Sequence, residues 1–149
     1  MAHQFSMTRR VEFSETDMAG IAHFSGFFRW METCEHEFLR SLGLGVHGQL
    51  PGEPAGREYG FARVHASCDY RRPVRFEDVM RIELRVQAKL AKGFEYGFTF
   101  HLEGESDADS APLATGCLKV VCVSLDAAAG RPRAVNIPPA IAALIEPTT

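Results

Sequence analysis

Hydrophobic positions along this chain repeat with two different periods, and the changes of period mark its elements. From Phe27 to Leu42, apolar residues return every three or four positions (Phe27, Trp30, Met31, Cys34, Phe38), while Arg29, Glu32, Glu35, His36, Glu37 and Arg40 occupy the other side. That spacing predicts an amphipathic helix with one core face and one wet face. Ser25 stands at its N-cap, Gly43 supplies a left-handed residue past its end, and Arg40 complements the negative end of the dipole. Such a helix reaches roughly 24 Å, enough to cross a small sheet.

Elsewhere the period is two. Met80, Ile82, Leu84, Val86, Ala88 and Leu90 alternate with Arg81, Glu83, Arg85, Gln87 and Lys89, and Phe94, Tyr96, Phe98, Phe100 and Leu102 alternate with Glu95, Thr99, His101 and Glu103. Two long antiparallel strands joined at Ala91-Lys92-Gly93 follow from this. Ala62, Val64, Ala66, Cys68 and Tyr70 form a third stripe, and Phe5, Met7, Val11 and Phe13 suggest a fourth. The run Leu113 to Leu125 is apolar on both faces, as expected of a central strand or one buried against a second subunit. The order strand, helix, then four strands predicts an α+β fold, a five- to six-stranded antiparallel sheet wrapped around one long helix. One helix does not cover such a sheet, so the surplus of apolar strand positions predicts a homodimer at least.

The Gly- and Pro-rich stretch Leu44 to Glu58 reads as a lid or a subunit-contact loop, and Gly104 to Pro112 as an extended hairpin tip. A short helix is expected from Pro138-Pro139 to near Glu146. With 149 residues there is length for a single domain and one core. A net charge of −3 gives no surface for nucleic acid. Neither a membrane span nor a secretory leader is readable, so the cytoplasm is the expected location. Cys34, Cys68, Cys117 and Cys122 fall inside predicted elements without CxxC spacing, which favours packed thiols over a metal or redox site.

Chemistry concentrates just before the helix, in Ser14-Glu15-Thr16-Asp17-Met18-Ala19-Gly20-Ile21-Ala22-His23-Phe24. It sets a carboxylate, Asp17, in a glycine-containing turn near a helix N-terminus. Taken alone Asp17 would be a turn-forming aspartate; its surroundings reverse that. Glu15-Thr16-Asp17-Met18-Ala19-Gly20, the aromatic Phe27 ten residues after Asp17, Glu32 five beyond it, and Tyr70-Arg71-Arg72-Pro73-Val74-Arg75-Phe76-Glu77-Asp78-Val79 together resemble the hotdog-fold acyl-CoA thioesterases of the 4-hydroxybenzoyl-CoA thioesterase family, including their Tol-Pal-associated branch.

The resemblance implies two subunits pairing their sheets edge to edge, association into homotetramers, and active sites at the dimer interface. It implies an acyl-CoA substrate, an aromatic or short- to medium-chain thioester cleaved to free acid and coenzyme A, with no metal or other cofactor. Asp17 takes the place of the catalytic carboxylate, as nucleophile or as general base. Backbone N–H groups around His23 and Phe24, at the positive end of the helix dipole, would hold the oxyanion. The Tol-Pal-associated branch carries tyrosine then histidine where this chain has His23 then Phe24, so the imidazole is displaced by one position. Gly20, Phe27, His65, Lys89 and Lys92 are the substrate-binding candidates: Phe27 with Phe24 and Phe61 around the acyl group, His65 across the interface, and Lys89 and Lys92 on the coenzyme A phosphates. Glu32 reads as a structural partner for a sheet donor. The alternative is a non-catalytic hotdog dimer that binds an acyl-CoA or a protein partner.

Overall fold

The computed structural model describes residues 2–46, 48, 58–106, 110–125 and 130–148. β1 (Gln4–Arg10) leads through a 3-10 turn at Phe13–Glu15 into the long helix α1 (Gly26–Ser41). Then come β2 (Tyr59–Tyr70), β3 (Val79–Lys89), β4 (Gly93–Leu102), β5 (Ala114–Ser124), the two-residue β6 (Arg133–Ala134) and a short helix α2 (Pro139–Ala142). The main strands lie in the order β1-β3-β4-β5-β2, every neighbouring pair antiparallel, with β6 added to β5.

This is the sheet and helix that the two periods predict. α1 lays Phe27, Trp30, Met31, Cys34, Phe38 and Leu39 against Ile82, Leu84 and Val86 of β3, Phe94, Tyr96, Phe98 and Phe100 of β4, and Leu118, Val120 and Cys122 of β5, all buried. Each large side chain so removed from water contributes about 1.5–3 kcal/mol before ordering is charged against it. The approach is closest at Gly116, where an added Cβ would stand 2.4 Å from Met31 Sδ. β5 is paired along both edges, so the run Leu113 to Leu125 supplies an interior strand, buried on the α1 face and half-buried on the other.

Several expectations need correction. Ser25 does not cap α1 with its side chain; its hydroxyl lies 2.8 Å from His23 Nδ1 instead. Gly43 does take the left-handed conformation, at φ 77°. Phe13 leaves the β1 stripe for the 3-10 turn, where it packs edge-on against Phe76. The β2 stripe is not one face: a bulge between Arg63 and His65 reverses the pleat, leaving Val64 63% exposed and putting Cys68 and Tyr70 opposite Gly116 and Ala114. The C-terminal helix stops at Ala142, with Ile141 buried within it and Ile145 buried beyond it. Residues 47 and 49–57 of the expected lid loop, and 107–109 of the hairpin tip, lie outside the described residues.

The largest departure is Glu35, placed on the wet face by its spacing yet only 1% exposed. The reason sits in β2, whose Arg63 reaches under α1 to make an ion pair with Glu35 and holds its Nε 3.4 Å from Glu32. Glu35 Oε2 is buried with no hydrogen-bond partner. Burial therefore outweighs the attraction of Arg63 and pushes the Glu35 carboxyl up from 4.5 to about 7. A carboxyl raised in the fold contributes stability fully below its unfolded value and loses it as pH climbs through about 7. Thermal unfolding of the wild type and Glu35→Gln should show this. The unfolding free energy of the wild type relative to the variant should fall between pH 5 and pH 8, by roughly 3 kcal/mol at most; a pH-independent difference would place Glu35 in the ordinary carboxylate range.

Candidate active site

The site is assembled around the Glu15 carboxylate. Its Oε1 accepts the Glu12 N–H at 2.7 Å, and its Oε2 accepts both Arg9 of β1 at 2.7 Å and the indole N–H of Trp30 on α1 at 2.8 Å. One side chain thus ties the first strand, the 3-10 turn and the long helix to the segment that carries Asp17. The Glu15 carbonyl then accepts the His23 N–H at 2.8 Å, Thr16 bridges Ala22, and Asp17 N–H reaches the Ile21 carbonyl at 2.9 Å. The result is a tight hairpin closed by a bond from Gly20 N–H to the Asp17 carbonyl, with Gly20 at φ 78° where a side chain would be strained.

A second segment docks that hairpin. Ala22 N–H donates to the Val74 carbonyl at 2.7 Å, and Ile21 bridges Arg75. Asp78 fixes the turn beneath them by accepting the Arg75 N–H at 2.8 Å, while Glu77 stands at φ 72°. These contacts give a physical reason for the Arg72 to Val79 motif. It is a shelf for the Asp17 turn, joined also to Val11 through Glu77 N–H and the Asp78 carbonyl.

Between hairpin, helix start and shelf lies a cavity of about 470 Å³, lined mostly by apolar groups: Ile21, Ala22, Phe24, Phe27, Pro73 and Val74, with Tyr70, Arg71, Arg72 and Asp17. Asp17 is exposed to it, its Oδ1 held by the Ala19 N–H at 2.8 Å. Among the described residues, neither Asp17 Oδ2 nor the Phe24 N–H has a hydrogen-bond partner. Phe24 is itself fixed: Tyr70 at the end of β2 donates its hydroxyl to the Phe24 carbonyl at 2.7 Å. Phe27 packs edge-on against Tyr70 at 5.2 Å and against Trp30 at 5.0 Å. Desolvation and the neighbouring Cys68 push the Tyr70 phenol up to about 12, so it remains a hydrogen-bond donor at neutral pH.

The candidates named from the sequence divide accordingly. Asp17, Phe24 and Phe27 meet at the cavity, and Gly20 shapes the turn without lining it. His23 is not an oxyanion donor here, because its N–H is taken by Glu15 and its ring faces Ser25 and Phe24. His65 pairs with Lys119 on the sheet face away from Phe27, and Phe61 packs on Phe94 near the opposite end of β2. Lys89 holds the C-terminal segment, donating to the Ala142 carbonyl at 2.7 Å with Glu146 at 3.0 Å. It lies ten residues along β3 from Val79, about 33 Å, so within one chain neither it nor Lys92 reaches the cavity. Sequence reasoning quoted Glu15, Tyr70 and Arg71 but gave them no role; the Trp30 indole N–H was the one polar group in the core stripe, a sign that a buried acceptor had to face it.

Residues 11–145 match the thioesterase-like superfamily, and the chain belongs to that family. Over 100 residues it is 33% identical to a 1,4-dihydroxy-2-naphthoyl-CoA hydrolase of Prochlorococcus marinus (strain MIT 9313), a stretch that covers 65% of this chain and 66% of that protein. Among solved structures, a 1,4-dihydroxy-2-naphthoyl-CoA thioesterase from Synechocystis superposes with a TM-score of 0.77 over 95% of this chain and 94% of its own, at 20% identity. A 4-hydroxybenzoyl-CoA thioesterase variant complexed with 4-hydroxybenzoyl-CoA superposes with a TM-score of 0.77 over 96% and 99%, at 19% identity. The sheet wrapped around α1 is therefore a hotdog fold.

Glu15→Ala should unlock this arrangement. Trp30 is the one tryptophan of the chain, so its emission should change along with a loss of roughly 1–3 kcal/mol in urea unfolding; an unaltered spectrum and midpoint would show that the carboxylate does not hold strand, turn and helix together.

Proposed function

We propose that this chain is an acyl-CoA thioesterase, releasing a free acid and coenzyme A with Asp17 as its essential carboxylate. The observation that carries the reading is one cavity lined by both Asp17 and Phe24, where Asp17 Oδ2 and the Phe24 N–H have no hydrogen-bond partner among the described residues. The first offers an electron pair to a thioester carbonyl, or to the water that attacks it. The second offers a donor to the oxygen that becomes negative. With Asp17 as nucleophile, a carboxylate–carbonyl bond forms, the carbonyl–sulfur bond breaks, the thiolate leaves and takes a proton, and water then opens the mixed anhydride. As a general base, Asp17 takes a proton from the attacking water instead. Either route develops charge beside the helix N-terminus, where one backbone donor contributes on the order of 3 kcal/mol.

The aromatic surfaces of Phe24, Phe27 and Tyr70 suit an aromatic acyl group, with short and medium aliphatic chains as the alternatives, and the named relatives act on aromatic acyl-CoAs. No helix among the described residues is long and apolar enough to cross a membrane. The free thiols and an acyl-CoA substrate fit the cytoplasm. β2 supports a homodimer: it ends the strand order, twelve residues long, with Val64 exposed and one edge unpaired by any described strand. Joining two such edges would carry one sheet across both subunits, and two such dimers make the proposed homotetramer.

Thiol release from a panel of aromatic and aliphatic acyl-CoAs tests the assignment. The wild type should turn over at least one class, and Asp17→Asn should lose several orders of magnitude in kcat while keeping its elution volume. Equal turnover by both proteins would remove Asp17 as the catalyst and favour a dimer that binds without hydrolysis.

A further inference from the structure

In the segment 70–73, which lines the cavity with Asp17, the backbone is anchored and one polar side chain is left without a partner among the described residues. Tyr70 is tied through its hydroxyl to the Phe24 carbonyl, and the N–H groups of Arg71 and Arg72 both donate to the Leu113 carbonyl, at 2.9 and 3.1 Å. Arg72 is neutralised by a two-point contact with Glu105, at 2.7 and 3.4 Å. Pro73 stiffens the chain beyond it. Arg71 alone keeps its charge unused: it is exposed, it lines the cavity, and among the described residues its guanidinium meets no carboxylate and no hydrogen-bond acceptor. The rest of the lining is apolar apart from Asp17, Arg72 and the Tyr70 hydroxyl, and Asp17 repels any anion that approaches.

We propose that Arg71 is the anion-recognising residue of this site, taking an oxyanion of the thioester substrate: a phosphate of coenzyme A or an acidic substituent on the acyl group. The inference rests on the thioesterase reading and adds a specificity determinant to it. Because the backbone on both sides is already fixed, a bound anion need order only the side chain, and the guanidinium donates two parallel hydrogen bonds to such oxygens.

Arg71→Gln and Arg71→Lys are compared with the wild type in binding of non-hydrolysable thioether analogues of benzoyl-CoA and glutaryl-CoA. Hydrolysis of both CoA thioesters, and of their N-acetylcysteamine counterparts that lack phosphate, is followed in parallel. Arg71→Gln should weaken analogue binding and raise KM by about ten- to a hundredfold, Arg71→Lys by less, with kcat within about twofold. A loss confined to the CoA compounds identifies phosphate as the anion, and a loss that persists with the phosphate-free glutaryl thioester identifies the acyl carboxylate; either upholds the proposal. Unchanged binding and KM throughout would overturn it, as would an equal loss on the phosphate-free benzoyl thioester, which carries no anion. A wild type that hydrolyses nothing, beside a variant that still binds the analogues at least tenfold more weakly, would count against hydrolysis and leave the role of Arg71 intact.

Discussion

A carboxylate with three donors on it is a constraint of a particular kind, because its partners come from parts of the chain that have no other reason to meet. Glu15 accepts from Arg9 on the first strand, from the backbone of the turn at Glu12, and from the indole of Trp30 in the middle of the helix core stripe. Hydrogen bonds to a charged acceptor are roughly twice as strong as neutral ones, and the indole N–H would otherwise be buried without an acceptor. The hairpin of Asp17 hangs directly from this junction through the bond of His23 N–H to the Glu15 carbonyl. Asp17 is therefore held on a surface turn with the rigidity of a core group, although its own side chain faces solvent.

Around that junction nearly every polar group of the site has a partner within the chain. The Asp17 turn is closed on itself, Ala22 is bonded to Val74, Tyr70 to Phe24, and Arg72 to Glu105. Among the described residues, an acceptor on Asp17, a donor on Phe24 and the cation of Arg71 are left over around apolar walls. An unsatisfied group is costly inside a protein and useful at a cavity, since an incoming substrate is then the partner that completes it.

The fold was legible where one period held without interruption, as in α1, β3 and β4. It was misread where a contact or a bulge from elsewhere intervened. Glu35 carries the spacing of a surface residue, and only the arrival of Arg63 from β2 makes its burial possible. The β2 stripe looked continuous because a bulge adds a residue without altering residue types. Asp17, Phe24 and Phe27, which line one cavity, lie within eleven residues on one turn and one helix start, so their proximity was legible. Lys89, Phe61 and His65 were placed by residue type in a region, and strand geometry sends them to the far end or the other face of the sheet. Arg71 and Tyr70 carry no local signal of their roles, which exist only because β2 ends beside the Asp17 hairpin.

The bulge between Arg63 and His65 sits between two anchor points on one strand. Before it, Arg63 faces the helix and grips Glu35; after it, Tyr70 faces the same side and grips Phe24. With a pleat of period two and no extra residue, side chains seven positions apart would point to opposite sides. The inserted residue thus acts as a phase corrector, and both grips hang on a single count of residues. Between Arg63 and Tyr70, insertions and deletions can be accommodated only in pairs, and a change of length by one there would turn one of the two grips to the opposite face.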